Sequence, residues 1–262
     1  MISDQEMRVE FSRKGMFMRL LDEFAIQLYS VRDVMDGDFI GVLEKLGSKG
    51  FGYTGVEFAG FGDIPADEMK IALEANGLKA IGSHTSLDLL LGSLDDIIDY
   101  HKTIGAEYII CPRGDMENKA DVLDLAKKLT PVAEKITAAG LKFGYHNHAH
   151  EFAVDDGKYL LDILFENLPN GTVMELDIYW SEYAGIDSNA YMEKHKDKLE
   201  LLHVKQIGED KKNVEIDKGF IDFKEVIKKA RTNGVKHFIL EQEEYEVSSM
   251  VSAENAAKYI YS

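Results

Sequence analysis

Eight short runs rich in apolar, β-branched and aromatic residues recur along the chain, and stretches with the spacing of amphipathic helices alternate with them. The runs begin near Phe24 (FAIQLYS), Tyr53 (YTGVEFA), Lys79 (KAIGSHT), Glu107 (EYIICP), Leu141 (LKFGYHN), Val173 (VMELDIY), Leu201 (LLHVKQ) and His237 (HFILEQE). Helical patterns occupy Asp38 to Gly47, Asp67 to Ala75, Leu94 to Ile104, Lys119 to Ala139, Lys158 to Asn167, Tyr191 to Lys198, Phe223 to Thr232 and Ala253 to Tyr259. The joins EANGLKA, KTIGAEY, TAAGLKF and RTNGVKH place a glycine where a helix ends, with the next strand a few residues on, which predicts short αβ loops. Eight such units in about 240 residues fit a closed (β/α)8 barrel better than an open doubly wound sheet. No glycine-rich phosphate loop follows the first run, where an open nucleotide-binding sheet would carry one. The expected class is therefore α/β, a single (β/α)8 barrel over 23–262, with a loosely structured extension over 1–22.

A chain of 262 residues buries enough apolar surface to stand without disulfides, and its single Cys111 can form none internally. The expected setting is a reducing cytoplasm with the thiol buried. Thirty Lys and Arg against 47 Asp and Glu give a net charge of -17. A surface that negative repels phosphate backbones and anionic membranes, so neither nucleic acid nor membrane is an expected partner. The first 21 residues contain no apolar run of the about 7 to 15 residues that a signal peptide needs, and nothing later approaches the ~20 of a membrane span.

A barrel of this kind carries its chemistry at the C-terminal ends of its strands. The fifth run ends in Tyr145-His146-Asn147-His148-Ala149-His150-Glu151, the sixth in Glu175-Leu176-Asp177, the seventh in His203-Val204-Lys205 and the eighth in Glu241-Gln242-Glu243. Strand side chains alternate with period two, so His146 shares a face with His148, His203 with Lys205, and Glu241 with Glu243. Each buried charge costs several kcal/mol unless paired or coordinated, so ionisable groups at one level on four neighbouring strands point to a site. A mixed set of imidazoles and carboxylates suits Mn, Zn, Co or Fe, and suits Mg less well. One divalent cation is the expected cofactor.

From about Phe24 to Tyr261 the sequence also resembles the xylose-isomerase-like TIM barrels, which include sugar epimerases, inosose dehydratases, hydroxypyruvate isomerases and abasic-site endonucleases. The matching pieces are IQLYSVRD, GVEFAG, GSHTS, YHNHAHEF, LDIYW with a following AG, LLHVK, DKGFIDFKEVI and LEQEEY. The resemblance implies a metal held from strands five to eight, with Asp177, His203 and Glu241 on the family's ligand positions. The fifth-strand ligand, commonly Glu, is His146 where YHNH aligns, with Glu151 as the competitor. Relatives remove and return the proton beside a ketose carbonyl through a metal-stabilised enediolate, using two carboxylates. With histidine in the first position the remaining general bases are Glu241, Glu151 and His148.

The implied function is a metal-dependent sugar isomerase or epimerase acting on a small-molecule carbohydrate. The alternatives are a lyase or dehydratase on a keto-inositol or 3-keto-glycoside, and a sugar-binding barrel without turnover. An endonuclease is disfavoured by the negative charge. Lys205 is expected either to neutralise a developing oxyanion or to pair with a mouth carboxylate, while Gln206 replaces the Asp frequent after that Lys in relatives. His84, Glu57 and Arg32 are expected at the rim, the first two as substrate contacts, with Trp180, Tyr29 and Phe61 as aromatic walls. His101, His195 and His237 receive no chemistry. Pairing into a homo-oligomer is expected only by analogy with other barrels.

Overall fold

The apolar runs become the strands of one closed barrel in the computed structural model, which describes Leu21 and residues 23–262. The expected N-terminal extension lies, apart from the buried Leu21, outside the described residues. In chain order the barrel strands are β1 (Ala25–Gln27), β2 (Gly55–Phe58), β3 (Lys79–His84), β4 (Tyr108–Cys111), β5 (Lys142–His146), β8 (Val173–Asp177), β9 (Leu199–Val204) and β10 (His237–Leu240). Neighbours pair in parallel and β10 closes on β1. Two further strands, β6 (Val154–Asp155) and β7 (Lys158–Tyr159), form a small antiparallel hairpin after β5.

Helices Leu94–Ile104 and Phe223–Thr232 match the predicted spans. The helix expected from Lys158 begins at Leu160, because Lys158 and Tyr159 pair in the hairpin. The one expected over Tyr191 to Lys198 runs from Ser188 to Lys194, started by Asp187, whose carboxylate accepts from the amides of Asn189 and Ala190. Gly77 and Gly105 end their helices in the left-handed region, at φ 64° and 77°, where a side chain would be strained. No helix among the described residues is long and apolar enough to cross a membrane.

The barrel interior is layered along its axis. Ala25, Ile81, Tyr108, Ile110, Val173, Leu201 and Ile239 form an apolar plug, separate from the larger core between barrel and helices. The packing is tight: a Cβ at Gly144 would come within 2.5 Å of Ile110 Cδ1. Two residues further along the same inward faces come Gln27, Glu57, His146, Glu175, His203 and Glu241, so the apolar floor gives way at once to ionisable groups. Cys111 is buried and burial pushes its thiol up to about 12.

His101, within the helix Leu94–Ile104, is fully buried; its Nδ1 donates to the Ile97 carbonyl at 2.7 Å and its Nε2 lies 2.9 Å from Ser83 Oγ. Burial pulls its pKa down to about 4, against the opposing effect of the bond to Ile97. The depressed value favours the neutral ring in the folded state, so this contribution to stability is complete above the unfolded pKa of about 6.5 and is lost as pH falls. About 2 kcal/mol should be gone by about pH 5. Urea unfolding of the wild type and His101→Gln at about pH 7.5 and about pH 5 checks this: the wild type should lose about 2 kcal/mol more than the variant. Equal losses would mean that the ring does not report this burial.

Candidate functional site

Strand register decides which ionisable groups meet. Asp177 on β8 sits opposite His203 on β9, and His146 on β5 sits opposite Glu175 on β8. One ligand atom from each of His146, Asp177, His203 and Glu241 lies within 4.8 Å of the others, and all four residues are buried. The rings of His84, His146 and His203 gather with centroids 4.6 to 5.2 Å apart.

Local folding fixes each group. Asp177 ends β8 and caps the short helix Ile178–Tyr183, its Oδ1 accepting from the Trp180 amide at 3.2 Å. Its Oδ2 is buried with no hydrogen-bond partner. Asn147 clamps the same point: its Oδ1 accepts from the Asp177 amide at 3.0 Å. Burial pushes the Asp177 carboxyl up to about 7 despite the nearby Lys205. Burial also opposes charge on Glu241, yet the Lys205 ammonium and the His203 ring outweigh it and hold that carboxyl well below the usual range.

Lys205 is 1% exposed, its Nζ 3.2 Å from Glu241 Oε2, 3.8 Å from Asp177 Oδ2 and bonded to Glu243. It lies about 5 Å from the ring centres of Tyr179 and Trp180, a cation–π placement. The ion pair with mouth carboxylates is thus present. Gln206 faces elsewhere, bonding the backbone of Ile207, Ile216 and Ile221 and so tying down the loop after β9.

Above the cluster opens a cavity of about 1010 Å³, lined among others by His84, His146, His148, Trp180, Glu241 and Glu243, with Tyr29 and Phe61 on its wall. Burial pulls the His148 ring down to about 2, which keeps it neutral. Two expectations need correction, those for Glu151 and Glu57, while Arg32 is at the rim as expected. Glu151 does not join the cluster: it lies on the turn His150–Phe152, where the Tyr145 hydroxyl (3.0 Å) and the His148 amide (2.8 Å) occupy its two oxygens. Glu57 is not at the rim but fully buried, because it lies inside the β1–β2 ladder rather than beyond its end. Arg32 braces the rim, donating to the Tyr29 carbonyl, the Tyr245 hydroxyl and the Glu243 carbonyl.

The residue that the sequence reading passes over is Glu175. It is fully buried, 2.7 Å from His84 Nε2 and 3.1 Å from His146 Nδ1. Burial works against its charge, but the imidazoles of His203, His84 and His146 hold its carboxyl well below the usual range. The period-two rule that pairs His203 with Lys205 also pairs Glu175 with Asp177, and that is the signal that identifies it.

Comparison with known proteins adds three structures and one family. A sugar phosphate isomerase/epimerase from Parabacteroides distasonis ATCC 8503 superposes with a TM-score of 0.78 at 24% identity, covering 91% of this chain and 93% of its own. The E. coli 3-keto-D-glucoside 4-epimerase YcjR gives 0.71 at 12% identity, covering 91% and 98%. The IOLI protein with a bound zinc atom gives 0.69 at 13% identity, covering 91% and 96%. At these identities the likeness is one of fold. No curated protein matches the chain. The sequence family described as the xylose isomerase-like TIM barrel matches residues 44–261, nearly the whole of the closed barrel, and the chain belongs to that family.

Proposed function

We propose that the protein is a divalent-metal-dependent sugar isomerase or epimerase that removes a proton next to the carbonyl of a keto-sugar. The observation that carries this reading is the approach of His146, Asp177, His203 and Glu241 to within 4.8 Å of one another, with His146 and Glu241 lining the cavity. The residues fit a cation. Asp177 Oδ2 is buried with no hydrogen-bond partner and the Lys205 ammonium 3.8 Å away, a costly state for a carboxylate oxygen unless a closer cation meets it. Four donors about 2.0 to 2.2 Å from one tetrahedral ion would stand about 3.3 to 3.6 Å apart, a spacing that ligand atoms within 4.8 Å of one another can take. Two nitrogens and two oxygens favour Mn, Zn, Co or Fe over Mg, and the zinc of the IOLI protein supports this choice.

When bound, the cation supplies Lewis acidity to the sugar carbonyl and a template for the neighbouring oxygen. The protein's own groups do the rest. Trp180, Phe61 and Tyr29 offer flat faces to the apolar side of a sugar ring. Glu241 Oε2 accepts from Lys205, which leaves Oε1 to take the substrate proton. Lys205 holds Glu241 and Glu243 in place. His148 is kept neutral by burial, and Glu243 on the cavity wall is the second carboxylate within reach.

The test is metal analysis of purified protein followed by incubation with keto-sugars in deuterium oxide. About one equivalent of cation should be found, and deuterium should enter the carbon beside the carbonyl only while the cation is present. A protein that binds cation and sugar but exchanges nothing would be a binding barrel, and the catalytic reading would fall. One observation favours a second reaction: the cavity is at the upper end of the roughly 300 to 1,000 Å³ of small-molecule sites. Its flank of Leu89, Ile97, Tyr100 and Pro112 could receive a group attached to the sugar. Elimination from a 3-keto-glycoside shares the proton abstraction, and product analysis separates the two.

A further inference from the structure

Two carboxylates lie beneath the ligand set with no task in the reading above. Glu175 Oε2 is 3.1 Å from His146 Nδ1 and 2.7 Å from His84 Nε2. Glu57 Oε2 is 2.9 Å from His203 Nε2 and accepts from Gln27 Nε2 at 2.8 Å. Glu57 Oε2 already accepts from the Gln27 amide and Glu175 Oε2 is shared by two imidazole nitrogens, so each oxygen stands where an acceptor is needed and the imidazole nitrogen facing it carries the proton. A neutral imidazole has one N–H, and its other nitrogen keeps the lone pair that a metal needs. His146 is then left with Nε2, and His203, whose Nε2 makes the short 2.9 Å contact with Glu57, with Nδ1, which stands 3.4 Å from Glu241 Oε2, at the long limit of a hydrogen bond and at a spacing that two ligands of one cation can take.

A second cation is the rival account, since ligand atoms of His84, His146, Glu175 and His203 also lie within 4.8 Å of one another. That ion would share His146 and His203 with the upper set. Both rings would then have to bridge the two cations as imidazolates, each giving up its last proton, and such a chain would hold two equivalents of metal. Hydrogen bonding demands no such deprotonation and accounts for the short nitrogen to oxygen distances directly.

Resting on the metal site proposed above, we infer that Glu57 and Glu175 are positioning residues that set which nitrogen His203 and His146 turn to the cation. Glu175 holds the Nδ1–H of His146 and presents its Nε2; Glu57 holds the Nε2–H of His203 and presents its Nδ1. A carboxylate behind a metal-binding imidazole fixes the ring and raises its basicity, and losing one typically costs about 10- to 100-fold in metal affinity.

The experiment has two arms. Long-range proton–nitrogen correlation spectra of the zinc-loaded wild type, labelled with ¹⁵N-histidine, read the tautomers without any substitution. His146 should carry its proton on Nδ1 and His203 on Nε2. In the second arm, Glu175→Gln and Glu57→Gln should each lower zinc affinity about 10- to 100-fold in chelator competition. They should also shift the visible bands of the cobalt-loaded protein while its circular dichroism stays unchanged. Reversed tautomers, two equivalents of zinc per wild-type chain, or wild-type affinity and cobalt bands in both variants would overturn the positioning role alone. A wild-type chain that takes up no zinc, cobalt, manganese or iron would overturn the metal site and this role with it.

Discussion

Asp177→Ala should leave the protein with less than about a tenth of an equivalent of cation and lower deuterium exchange by about 10³-fold or more. Asp177 supplies one of four clustered ligand atoms, and its Oδ2 is buried without a hydrogen-bond partner. Removing it takes away a ligand and a negative charge together. The same residue caps the helix Ile178–Tyr183 through Oδ1, so alanine also costs about 1 kcal/mol of helix stability. Asp177→Asn separates the two effects, because the amide oxygen still caps but binds a transition metal poorly. Mass-spectrometric metal analysis should find both variants depleted and only the alanine variant destabilised in the cation-free state. Full cation content in the asparagine variant would mean that this carboxylate is a cap and nothing more.

Lys205→Met should destabilise the cation-free protein by about 3 to 5 kcal/mol, the usual cost of breaking a buried ion pair from one side. The ammonium is 1% exposed and holds Glu241 and Glu243, with Asp177 3.8 Å away. Burial disfavours its charge, but Glu241, Asp177 and Glu243 more than compensate and raise its pKa. A raised pKa means that this stabilisation is complete below the unfolded value of about 10.4 and is lost only as pH rises through the folded one, so neutral pH is the place to measure it. Methionine keeps most of the apolar stem and removes the ammonium, and with it the ion pairs and the contacts with the rings of Tyr179 and Trp180. Denaturant unfolding of chelator-treated protein gives the loss, and adding Glu243→Gln to the variant should recover part of it by removing one unpaired carboxylate. A loss under about 1 kcal/mol would show that solvent reaches the lysine and screens the pair.

The barrel was legible because its signal is redundant. Each βα unit repeats the same change of period, and a glycine such as Gly77 or Gly105 marks a helix end through backbone sterics alone. Strand alternation likewise puts His146, His203 and Glu241 on inward faces, since the period of two is a property of the extended chain. Glu151 shows where this stops. It stands five residues beyond His146, past the end of the strand, and its direction is set by a tight turn and by a hydroxyl from Tyr145 that no periodicity announces. Glu57 was visible as an inward residue but not as a deep one, because depth depends on the stagger of neighbouring strands. Glu175 was in plain view two residues before Asp177, and passed over.

The sequence by itself determined the class of fold, the end of the barrel that carries the polar groups and the kinds of donor that line it, because these follow from local periodicity and composition. Only the tertiary structure decided which donors meet. The pairings of Asp177 with His203 and of His146 with Glu175 are set by strand register. The sorting of carboxylates into an upper set beside Lys205 and a lower set behind the imidazoles depends on how far each strand has climbed when the barrel closes. Contacts between residues 29 to 146 positions apart in the chain arise from that closure, and no local property of the chain encodes them.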